Sequence, residues 1–125
     1  MVVGYGAITL RLPENHSLKG KRKAVKAVIG RIRSNFNVSA AEIAANEMHQ
    51  RAVIGVALTG NAQTLVNSKL DRIVNLVESM GVGEVLDAEM EVMSVSLPSG
   101  RMDWDEDLSQ WIRDMEKGPL TGQDE

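Results

Sequence analysis

Apolar residues recur along this chain with two different periods. From His16 to Phe36, Leu18, Val25, Val28, Ile29 and Ile32 fall at helical spacing and make one stripe. From Ala62 to Met80, Leu65, Val66, Leu70, Ile73, Leu76, Val77 and Met80 make a second. The remaining runs alternate with a period near two, as strands do. In 2–12, Val2, Ile8, Leu10 and Leu12 share a face, and Val3, Tyr5, Ala7, Thr9 and Arg11 the other. Val38–Glu47 and Arg51–Thr59 read as two strands joined near Met48-His49-Gln50; the first is Ala-rich and poor in strand formers, the second nearly all apolar. Glu84–Val95 is the fourth, with Leu86, Ala88, Met90 and Val92 expected inward and Asp87, Glu89 and Glu91 outward.

Breakers and caps set the boundaries. Pro13 ends the first strand, Ser17 is the expected N-cap of the first helix, and Asn61 that of the second. Gly81 stands where a helix C-terminus commonly turns left-handed. Gly30, inside the first helix, costs about 1 kcal/mol relative to Ala and would let another backbone come close. The order is βαββαβ. Right-handed crossovers then put both helices on one face of a four-stranded sheet. We therefore expect an α+β, ferredoxin-like sandwich with strand order 4-1-3-2 and one bare sheet face. It should occupy residues 1–96. An extension, 97–125, begins at the linker Leu97-Pro98-Ser99-Gly100 and carries an amphipathic helix at about 104–116. There Asp103 and Glu106 form an Asp version of a capping box. Trp104, Leu108, Trp111, Ile112 and Met115 share a face fit to dock on the chain itself or on a partner. Gly118-Pro119 ends that helix, and 120–125 reads as a disordered tail.

Charge changes this picture at one place. The net charge is −3, yet residues 1–96 hold 11 Lys+Arg against 9 Asp+Glu, and residues 97–125 hold 3 against 8. No acidic residue occurs between Glu14 and Glu42. Lys19, Arg22, Lys23, Lys26 and Arg33 fall together beside the apolar stripe of the first helix. Its first turn, with Ser17, Lys19, Gly20, Lys21 and Arg22, would offer backbone N–H groups, a positive dipole end and cations to a phosphate. The alternative is a solvated helix face. The acidic tail would counter anion binding, an effect that removing 97–125 would relieve. SLKGKR lacks the GxxxxGK[ST] spacing of a P-loop.

Other chemistries find little footing. There are no cysteines, so disulfides, thiol catalysis and thiolate metal sites are out. His16 and His49 are the only histidines and neither has a ligand or triad pattern nearby. The row Asp87, Glu89, Glu91 reads as the wet face of an edge strand rather than an oxygen-ligand metal site. Base stacking of the kind used by RNA-binding ferredoxin-like domains needs aromatics on the central strands; these strands offer only Tyr5. The expectation is of no catalytic residues, no metal and no cofactor. The N-terminal stretch MVVGYGAITLRL has no basic region before its apolar run, so no secretory signal is expected. No apolar stretch is long enough to span a membrane.

His16-Ser17-Leu18-Lys19-x-Lys21-Arg22, with Phe36-Asn37-Val38-Ser39-x-x-Glu42 and Gln50-Arg51-Ala52, resembles the bacterial YlxP-like family, a domain of unknown function. The resemblance covers about residues 1–95. It implies a small ferredoxin-like cytoplasmic protein and brings no catalytic residues. The family is often encoded beside translation-initiation and ribosome-maturation factors, which points to RNA or ribosome work. The family usually has Glu at the position of Gly20 and an aromatic at that of His49. The reading is therefore of a non-enzymatic accessory protein that binds RNA or a ribosomal particle through the basic helix. The alternative is a protein-interaction or small-ligand regulatory module, a homodimer through the bare sheet face.

Overall fold

The computed structural model describes residues 1–13, 15–96 and 104–117, the last group without the side chains of 104–107. The elements are β1 (Val2–Arg11), α1 (Leu18–Asn35), β2 (Ser39–Ala44), β3 (Arg51–Gly60), α2 (Gln63–Met80), β4 (Glu84–Ser94) and α3 (Trp104–Glu116). The four strands form one antiparallel sheet in the order β2-β3-β1-β4, the expected ferredoxin-like arrangement. The described residues divide into two units, one within 1–95 and the other within 96–125. Among the described residues no helix is long and apolar enough to cross a membrane.

Alternation on β1 and β3 sends one set of side chains under the helices. Ile8 and Leu10 from β1, with Ala52, Ile54, Val56 and Leu58 from β3, meet Val25, Val28 and Ile32 of α1 and Val66, Leu70, Ile73 and Val77 of α2. Gly4 and Gly6 lie in this face for steric reasons. A Cβ on Gly4 would come within 2.4 Å of Val66, and one on Gly6 within 2.1 Å of the Glu89 carbonyl. Their bareness lets α2 and β4 close on β1. Gly81 takes the left-handed conformation at the end of α2 (φ 67°), as its position suggested. A Cβ on Gly30 would meet open space, so no part of the fold approaches it.

The edges depart from simple alternation. In β4 the pairing to β1 slips between Thr9 and Leu10: Thr9 faces Asp87 but Leu10 faces Val85. Leu86 is the extra residue of a β-bulge. Val85 therefore packs against the core and Leu86, expected inward, is 40% exposed. In β2 the strand stops at Ala44, short of the expected Glu47, because Ala45 turns left-handed (φ 61°). Leu65, placed in the α2 stripe by spacing, is also exposed. Ala62, not Asn61, is the N-cap of α2, and no side chain bonds the helix start.

One residue of the sheet-facing side of α1 is not apolar. Lys21 lies one turn before Val25 and is fully buried (0% exposed). Its ammonium stands 2.8 Å from Glu42 Oε2. It also donates to the Ala45 carbonyl, which takes the Met48 N–H as well. Glu42 lies opposite Ile54, on the helix side of β2, so its carboxylate reaches under α1. The pair pins the end of the edge strand to the first turn of the helix.

Removing one partner of such a pair strands a buried charge at a cost of about 3–5 kcal/mol, whereas an apolar replacement of both is far milder. Lys21→Ala should lower the unfolding free energy in urea by that amount, and Lys21→Met with Glu42→Leu should recover most of it. Ala62→Ser should raise stability by about 1 kcal/mol by supplying the missing cap, read as a higher urea midpoint at unchanged slope.

Candidate nucleic-acid interface

α1 begins as its sequence suggested. Ser17 is extended (φ −151°, ψ 156°) and its hydroxyl accepts the Gly20 N–H at 3.0 Å. The cap forms without a carboxylate at Gly20. A Cβ there would come within 2.4 Å of Asn15 Oδ1, so the Asn15 side chain fills the space beside Gly20. Asn15 in turn donates to the carbonyls of Ser17 (2.8 Å) and His49 (2.5 Å). Gln50 donates to those of Pro13 (3.3 Å) and Asn15 (3.2 Å), and the Leu12 N–H to that of Gln50 (2.9 Å). These bonds lock the β1–α1 loop to the β2–β3 loop and hold the helix start in place.

The expected basic site divides. Lys19, Arg22, Lys23 and Lys26 are exposed on one side of α1, and none forms an ion pair with any described residue. Arg33 is on the same side, but its guanidinium donates to the Ala40 carbonyl at 2.7 Å and ties the helix end to β2. Lys21 has to be withdrawn from the site. The position that spacing assigned to the helix start carries its ammonium into the core, where Glu42 neutralises it. The positive stripe is therefore four free cations long, on the flank of α1 away from the sheet. Gly30 lies within it, exposed.

The bare sheet face is concave. Tyr5, Ala7, Ala41, Ile43, Gly55 and Ala57 line a cleft of about 820 Å³, with Glu89 and Glu91 at one side. Asp87, Glu89 and Glu91 pair across to Thr9, Ala7 and Tyr5 and share this open face. Tyr5 is 40% exposed and has no second aromatic beside it on β1 or β3. Among the described residues no three acidic or histidine side chains gather where a metal ion could be held.

In α3, Leu108, Trp111, Ile112 and Met115 are 44–60% exposed, and Gln110 links to Asp114 (3.0 Å) and Arg113 (2.8 Å) on the polar side. Trp104 opens this helix. Its side chain, the Asp103–Glu106 cap, the linker at 97–100 and everything after Lys117 lie outside the described residues.

Comparison with known proteins agrees with the motifs. The family described as "Protein of unknown function (DUF503)" matches residues 3–90. The "Uncharacterized protein YlxP" of Bacillus subtilis (strain 168) is 27% identical over 78 residues, which are 62% of this chain and 85% of that protein. Among solved structures, the REP-associated tyrosine transposase bound to a REP hairpin aligns with a TM-score of 0.36 and 8% identity, over 93% of this chain and 68% of that one. A likeness that low carries no argument. The family match takes in the Lys21–Glu42 pair, the Ser17 cap and the loop bonds of Asn15 and Gln50, and by it this chain belongs to the DUF503 family.

Proposed function

We propose that this chain is a non-enzymatic cytoplasmic accessory protein that binds RNA or a ribosomal particle through phosphate contacts along α1. The observation that carries the reading is the stripe of Lys19, Arg22, Lys23 and Lys26, exposed and without carboxylate partners among the described residues. Surface charges are normally interspersed with opposite sign, and i, i+4 partners of opposite sign stabilise a helix. A one-signed stripe forgoes that support and is complementary to a polyanion. The Ser17 cap and the Arg33 anchor fix the two ends of α1, so the cations sit on a rigid element. Contacts to phosphate carry no base identity, and Tyr5 is the one aromatic on β1 and β3 that could add stacking to them.

Four phosphate contacts give a slope of about −3 in log K against log salt for a single strand. Co-sedimentation with ribosomal subunits across a salt series should show that dependence. Reversing Lys19, Arg22, Lys23 and Lys26 to Glu should abolish binding while leaving the unfolding midpoint of the domain nearly unchanged. Equal binding by this variant would rule the reading out.

The concave sheet face favours a second reading, a dimeric interaction module. The small and apolar side chains of Ala7, Ala41, Ile43 and Ala57 in its lining leave room for a second copy to come close. It leads to a concentration-dependent dimer in sedimentation equilibrium, not weakened by salt and broken by Ala57→Arg in the cleft lining. A chain that stays monomeric at all accessible concentrations excludes it.

A further inference from the structure

The antiparallel register sets Arg11, the last residue of β1, directly opposite Arg51, the first of β3. Like charges in that relation repel. Arg51 forms no ion pair or side-chain hydrogen bond among the described residues. Arg11 meets Glu84 through Nε at 3.4 Å, a contact between half-exposed groups that leaves the outer edge of the guanidinium open. The locked loops stand beside this pair. Arg11 and Arg51, with His16, His49, Asn15, Gln50 and Met48, line a cleft of about 620 Å³. Asn15 and Gln50 spend their amide N–H groups on the loop carbonyls. Among the described lining residues, the side-chain N–H donors still free to face the cleft are thus on the two guanidinium and the two imidazole groups. No carboxylate is among the described residues that line it.

We propose that this cleft is a binding site for a phosphate group. Two guanidinium forks present paired N–H donors that match the oxygens of a phosphate, and each imidazole adds an N–H. A bound dianion would cancel the Arg11–Arg51 repulsion that the fold otherwise tolerates. The loops are fixed by hydrogen bonds before any ligand arrives, so little ordering is lost on binding. The phosphate has two sources of the same chemistry: the terminal phosphate of an RNA strand, or a free phosphate or small phosphate ester. The first arm deepens the α1 reading; the second stands without it.

The test uses the full chain. Inorganic phosphate is titrated while the imidazole resonances of His16 and His49 are followed. Both should shift together and saturate with one dissociation constant. Arg51→Gln should weaken binding about tenfold or more, as loss of charge-assisted hydrogen bonds does, and Arg51→Lys should fall between. The Glu-reversed α1 variant should bind phosphate as the wild type does, which separates this site from the helix stripe. A 5′-phosphorylated oligoribonucleotide that binds more tightly than its 5′-hydroxyl twin, through Arg51, assigns the phosphate to RNA. Equal binding of the twins, with the inorganic phosphate response retained, assigns it to a small ligand. No saturable shift of either imidazole, or an Arg51→Gln chain that binds phosphate as the wild type does, overturns the proposal.

Discussion

The ammonium of Lys21 is the constraint around which the helix side of this sheet is arranged. A buried cation needs a counter-charge and a hydrogen-bond acceptor within reach. Glu42 supplies the first and the Ala45 carbonyl the second. Meeting both needs requires that β2 run with Glu42 toward α1 and that the chain turn sharply at Ala45. It also requires that the first turn of α1 sit above the end of an edge strand. The remaining apolar contacts of α1, through Val25, Val28 and Ile32, then follow with the helix already placed. The pair supplies position more than net stability, since well-packed apolar residues could hold the same space.

Most of the fold was legible because periodicity reports burial directly. The strand order, the two faces of β1, the Ser17 cap and the Gly81 turn all follow from spacing and from residue types with one strong local preference, whereas the nearly all-apolar β3 does not announce its helix-facing side. The misplacements share a cause. Leu65 faces solvent in the first turn of α2, Leu86 is the extra residue of a bulge, and β2 ends where Ala45 turns left-handed, so each departs from strict periodicity at a local irregularity. Asn61 is a better cap than Ala62 by type. The helix nevertheless begins one residue later, with Ala62 extended before it.

The site was less legible, for a different reason. A lysine in a run of cations reads as surface, and only its angular position, one turn before Val25, marks Lys21 as inward. The exposed members of the stripe needed no tertiary information. The cleft at the foot of the sheet is the opposite case. Arg11, His16, His49 and Arg51 are separated along the chain, and the two histidines look isolated. What joins them is the β1–β3 register together with the amide bonds of Asn15 and Gln50. Gln50 and Arg51, which carry part of the family resemblance, gain a physical role there: one fixes the loops and the other lines the cleft.

The bulge at Leu86 has a further consequence. Val85 has the same parity as Asp87, Glu89 and Glu91, so on a regular strand all four would point the same way. With the one extra residue, Val85 enters the core while the three carboxylates stay on the open face. The bulge thus absorbs Leu86 as a surplus residue, and the pairing on either side of it constrains neither its identity nor its presence. Deleting Leu86 would set Val85 directly before Asp87, and the plain alternation of a regular ladder would then send Val85 inward and the three carboxylates outward with no bulge at all.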